Sequence, residues 1–157
     1  AMAKRSDRPR GFLRPEEKVA VLLAIRAAEQ GCSAELRLHI ERDVPGKPPI
    51  AGDPYARARA LFAAMGMHAT EARNGVLFYL ATRSRRFAVL GDEALHTQVG
   101  EAFWQEVAAL MAGHFAEDRF GDGLAAGIAR VGERLAVHFP HRADDVNELP
   151  DTISFDS

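Results

Sequence analysis

Asn74-Gly75-Val76-Leu77-Phe78-Tyr79-Leu80-Ala81 is the stretch on which the fold turns. From Val76 onward it is apolar without alternation, the pattern of a central strand covered on both faces. The polar turn Thr82-Arg83-Ser84-Arg85 separates it from Arg86-Phe87-Ala88-Val89-Leu90, and so short a connection permits only an antiparallel hairpin.

Upstream, Ala34-Glu35-Leu36-Arg37-Leu38-His39-Ile40-Glu41 alternates strictly. Leu36, Leu38 and Ile40 share one face, and Glu35, Arg37, His39 and Glu41 the other. This predicts a half-buried strand near a sheet edge. A proline- and glycine-rich loop follows. Asp53-Pro54 then reads as N-cap and first helical residue, Ala58, Leu61, Phe62 and Met65 recur at helical spacing, and Gly66 ends the helix. Strand, crossover helix and central strand make a right-handed parallel βαβ unit. The expected class is therefore α/β, a three-layer α/β/α sandwich with a small mixed sheet.

The flanks read as helices. Residues 15–30 open on Pro15 with Glu16 and Glu17 in the first turn and close at Gly31, with Val19, Leu22, Leu23 and Ile25 as the expected buried face. Downstream, helices are expected over 93–98, 101–114 and 123–138. Phe103, Trp104, Val107, Leu110 and Met111 should be buried on the second, and Leu124, Ile128, Val131 and Leu135 on the third. Gly123 and Gly127, one turn apart, would let a neighbouring element approach closely. The division expected is a flexible basic arm over 1–14, a domain over 15–140 and an acidic tail over 141–157 packed on that domain. Ile153-Ser154-Phe155 in the tail has the composition of a short strand.

Composition narrows the function classes. The chain has 157 residues, 47% of them hydrophobic and 27% charged, enough for a real core. A formal charge of −2, with no aromatic residues interleaved in the basic arm, argues against nucleic acid. No apolar run reaches the roughly 18–20 residues that cross a bilayer, and none follows the basic N-terminus as a secretory leader would. The lone Cys32 cannot form an internal disulfide and fits a reducing compartment, so a cytoplasmic location is expected. GxSxG, Walker A, GxGxxG and HExxH are all absent from the sequence.

Strand direction gives a candidate site. With the first two strands parallel and the hairpin return antiparallel, Ser33, Glu35, Asn74, Gly91 and Asp92 should converge on one rim. The crossover helix returns there with His68 and Glu71, and the next helix opens there with Glu93 and His96. Carboxylates, an amide and imidazoles so gathered suit a divalent cation, calcium or magnesium. Glu35 and Asp92 are the expected ligands, with Asn74, Glu93, His68 and His96 around them. Each residue has an ordinary reading too: Asp92 as an N-cap, Glu35 as a solvated strand residue, His96 as a surface histidine.

Several segments resemble the TPM domain family, found in bacteria and in the thylakoid lumen. They are Ser33-Ala34-Glu35-Leu36-Arg37-Leu38, Asn74-Gly75-Val76-Leu77-Phe78-Tyr79, Arg86-Phe87-Ala88-Val89-Leu90-Gly91-Asp92, Phe103-Trp104, Gly123-Leu124-Ala125-Ala126-Gly127-Ile128 and Asn147-Glu148-Leu149-Pro150-Asp151. The resemblance implies an α/β/α sandwich and two functions. One is an accessory module that binds a protein partner in a membrane-associated or repair assembly. The other is a weak divalent-metal-dependent acid phosphatase, in which Glu35 and Asp92 would hold the cation and Asn74 would orient substrate. Many members carry an acidic residue in the hairpin turn, where this chain has Ser84 before Arg85. Many also have a signal and a membrane anchor, which this sequence is not expected to have.

Overall fold

A computed structural model describes residues 4–46, 52–69, 73–141 and 153–156. Its helices are α1 (Pro9–Phe12), α2 (Pro15–Gly31), α3 (Pro54–Ala64), α4 (Glu93–Val99), α5 (Glu101–Phe115) and α6 (Phe120–His138). Its strands are β1 (Leu36–Glu41), β2 (Val76–Ala81), β3 (Arg86–Gly91) and β4 (Ile153–Phe155), in the spatial order β3-β2-β1-β4. β1 and β2 run parallel with Leu36 opposite Val76, and β2 and β3 run antiparallel with Val76 opposite Gly91. β4 lies parallel to β1 with His39 opposite Ser154, so the tail does supply a strand.

The sheet divides two cores, and period two assigns the residues to them. Leu36, Leu38, Ile40, Val76, Phe78, Leu80 and Val89 face α2, α5 and α6. Leu77, Tyr79, Ala81 and Ala88 face Ala58, Leu61 and Phe62 of α3, with Met67 of the turn that follows. Helices on both sides make three layers around a mixed sheet, as expected.

Three local expectations are corrected. β1 is an interior strand, because β4 takes its open edge, and its polar alternates Arg37, His39 and Glu41 are buried along with the apolar ones. On α2, Val19, Leu22 and Leu23 are exposed, and Val21, Ile25 and Ala28 face the core instead. The reason is that small residues make the contact: a Cβ on Gly132 of α6 would sit 2.6 Å from that of Ala28, closer than real Cβ atoms come. Leu110 of α5 is likewise exposed.

The third correction concerns the N-terminal arm, which packs from Arg5 onward. Phe12 and Leu13 are buried, and the Arg5 guanidinium meets Glu17 at 2.6 Å, the Phe12 carbonyl at 2.9 Å and Asp118 at 3.0 Å. It also lies over the Phe12 and Phe120 rings, at 5.1 and 5.0 Å. A buried guanidinium needs such partners to offset its desolvation. The close approach expected of Gly127 is present, since a Cβ there would lie 2.5 Å from the Met111 sulfur.

Candidate functional site

At the amino end of the parallel strands, the backbone brings together most of the residues the sequence placed there. Val76 N–H donates to the Glu35 carbonyl at 2.8 Å and Asp92 N–H to that of Gly75 at 2.9 Å. Asn74 Nδ2 donates to Ser33 Oγ at 3.4 Å. Glu35, Asn74 and Asp92 are all buried. Asp92 is the N-cap of α4, its Oδ1 accepting from Glu93 N at 2.7 Å. Both its oxygens are also held by Arg73, Nε to Oδ2 and Nη2 to Oδ1, each at 3.1 Å. That guanidinium supplies the positive charge a cation would otherwise bring. Glu93 points outward, His96 leans on Trp104 with centroids 5.7 Å apart, and His68 is exposed on its turn. Glu71 falls outside the described residues.

A second cluster stands at the opposite end, where α/β sheets most often bind ligands. The polar face of β1 supplies His39 and Glu41, and β4 delivers Ser154 and Asp156 beside them. One ligating atom each from His39, Glu41 and Asp156 lies within 4.8 Å of the others, a grouping able to hold a metal ion. His39 Nδ1 is 2.7 Å from Ser154 Oγ. Its Nε2 is buried, lies 3.2 Å from Asp156 Oδ2 and 3.9 Å from Glu41 Oε1, and has no hydrogen-bond partner among the described residues.

Glu41 accepts three hydrogen bonds from two of the described residues. Arg57 of α3 donates from Nε at 2.8 Å and from Nη2 at 3.0 Å, and the Tyr79 hydroxyl of β2 donates as well. Arg57 Nη2 also reaches Asp156 Oδ2 at 3.5 Å. Burial would raise the Glu41 carboxyl, but the facing His39 ring, Arg57 and Tyr79 together hold it down at about 2. Burial and the Glu41 carboxylate push the Tyr79 hydroxyl up.

The alternation places His39 and Glu41 on the polar face of a half-buried strand near a sheet edge, which does not single them out as a site. The available signal was the strand-like Ile153-Ser154-Phe155: pairing it beside the first strand covers that edge and buries both side chains. Arg57 and Tyr79 enter only through register, which no spacing rule supplies.

The family model described as the TPM domain matches residues 7–134, which include His39, Glu41 and Arg57 but not Asp156. Among solved structures, the chain is similar to the BA42 protein of the psychrophilic bacterium Bizionia argentinensis, determined by NMR. The two share 36% identity and a TM-score of 0.81, over 92% of this chain and 96% of that one. It also matches the N-terminal domain of a P. gingivalis protein at 18% identity and a TM-score of 0.66, over 84% of this chain and 83% of that one, a likeness of fold alone. No curated protein matches it significantly. Most of the chain, both layers of helices and the sheet between them thus agree with one family: this chain belongs to the TPM domain family.

Proposed function

We propose that this domain is a divalent-cation-binding module whose cation sits at the carboxyl end of β1 and β4, on His39, Glu41 and Asp156. One observation carries the reading: a buried imidazole nitrogen with no hydrogen-bond partner among the described residues faces two carboxylate oxygens. Buried polar atoms are nearly always satisfied, and an ion is one way to satisfy this one. Without a cation an Nε2–H faces Glu41; in the loaded state the tautomer with Nδ1–H donating to Ser154 would turn the Nε2 lone pair to the ion, the arrangement by which an outer partner orients a histidine ligand.

Arg57 competes for the same place. Glu41, Asp156 and Arg57 together carry a formal charge of −1, so the cluster attracts cations even with the guanidinium in place. A divalent ion that displaced Arg57 from Glu41 would bring His39, Glu41 and Asp156 to neutrality. One imidazole with two carboxylates suits zinc or manganese better than calcium or magnesium, which prefer oxygen alone. When bound, the ion would supply positive charge and Lewis acidity at the sheet's carboxyl end. The chain's own residues orient it and exclude water from its buried side. The accessory role implied by the family belongs to this reading, with a protein partner recognising the loaded domain.

Calorimetric titration with zinc, manganese, magnesium and calcium tests the proposal. Zinc or manganese should bind more tightly than calcium, and His39→Gln and Asp156→Asn should each weaken binding by about ten-fold or more. Unaltered binding in His39→Gln would refute it. Loss confined to Asp92→Asn would return the cation to the opposite rim.

A further inference from the structure

Sharing Asp156 with this cluster is a cavity of about 320 Å³ lined by Arg8, Pro9, Arg10, Arg42, Phe155 and Asp156. We infer that it binds a small doubly charged oxyanion of the phosphate class. The volume lies at the lower end of the range for small-ligand pockets. Three guanidiniums border it, and none of the three forms an ion pair with a carboxylate among the described residues. Arg42 Nε is buried and has no hydrogen-bond partner among the described residues. Asp156, the one carboxylate on the wall among the described residues, is drawn away toward His39 Nε2 at 3.2 Å and Arg57 Nη2 at 3.5 Å. Arg10 is braced over the Phe155 ring, 4.9 Å from its centroid, which fixes a cation on the cavity wall.

Charge selects the ligand class. Among the described lining residues, three arginines against Asp156 leave a formal +2, which a dianion balances and a single carboxylate does not. Guanidinium forks match phosphate oxygens in pairs. Pro9 and Phe155 add an apolar wall for the organic part of a phosphate monoester. A free phosphate compound and a phosphorylated lipid headgroup share this chemistry.

The experiment is an NMR titration of the whole chain with inorganic phosphate, in chelator at constant ionic strength, so that its outcome is independent of the cation site. The expected result is saturable shifts at Arg8, Arg10, Arg42 and Phe155. Arg42→Gln should weaken binding by at least about ten-fold, the loss of one charged hydrogen-bond donor. The exposed Arg10→Gln should weaken it as well without lowering the thermal midpoint, which covers the case of a misfolded Arg42 variant. Acetate at equal concentration should leave these resonances in place. Vesicles of phosphatidylcholine with and without phosphatidic acid form a second arm: saturation by phosphatidic acid vesicles alone would assign the phosphate to a lipid headgroup. Linear shifts with both probes, shifts spread over all arginines, or wild-type affinity in both variants would overturn the inference.

Discussion

Glu41 ties the carboxyl-end cluster to the stability of the sheet. Its folded carboxyl sits at about 2, below its ordinary value of 4.5. A depressed acid stabilises the fold above its unfolded pKa and loses that contribution as pH falls through its folded one. Acid unfolding should therefore steepen between pH 4.5 and 2, by roughly 3 kcal/mol in all. Glu41→Gln should flatten that part of a stability–pH curve measured by urea unfolding, and a curve of unchanged shape would remove Glu41 from this role. Arg57→Gln separates the two things Arg57 does. It should lower stability, because a buried carboxylate loses its partner, and tighten zinc or manganese, because their competitor is gone. At the other terminus, Arg5→Met removes the charge that Glu17 and Asp118 surround. It should cost about 3 kcal/mol in urea unfolding, as expected when one partner of a buried pair is deleted.

Among the elements, α2 and β1 show what periodicity can and cannot locate. The helix was legible from Pro15, Glu16 and Glu17 at one end and Gly31 at the other. Its buried face was not, because the contact runs through Ala28 and Gly132, residues that carry no hydrophobic signal. Two substitutions check the observed face by urea unfolding. Leu22→Ala, on the exposed side, should change stability by no more than about 0.5 kcal/mol. Gly132→Ala should destabilise by about 1–3 kcal/mol despite alanine's better helix propensity, because the added methyl meets Ala28. β1 was legible as a strand, and its alternation was real. The burial of its polar face is not legible locally, because the strand that covers its edge is only three residues long and lies far along the chain. Asp92 was legible as a helix cap from sequence alone, whereas its grip by Arg73 depends on a left-handed residue, φ 53°, that places the guanidinium there.

For the whole molecule, strand direction decides which residues meet. A crossover helix forces β1 and β2 parallel, a short turn forces β3 antiparallel, and the rim of Ser33, Glu35, Asn74 and Asp92 follows. The opposite rim stayed hidden because it is completed by β4, whose position depends on no local rule. No helix among the described residues is long and apolar enough to cross a membrane. Asp156 belongs both to the cation cluster and to the arginine-lined cavity, so the two sites should be coupled. A cation that holds Asp156 adds positive charge beside the cavity, and phosphate should then bind several-fold more tightly, with the reciprocal effect of phosphate on the cation. The most direct test of the central claim is the imidazole nitrogen spectrum of His39 during a zinc titration. Binding at the carboxyl end predicts a large, saturable shift of Nε2, with the Asp92 and Asn74 amides undisturbed. An unmoved His39 signal alongside shifts at Asp92 and Asn74 would contradict it.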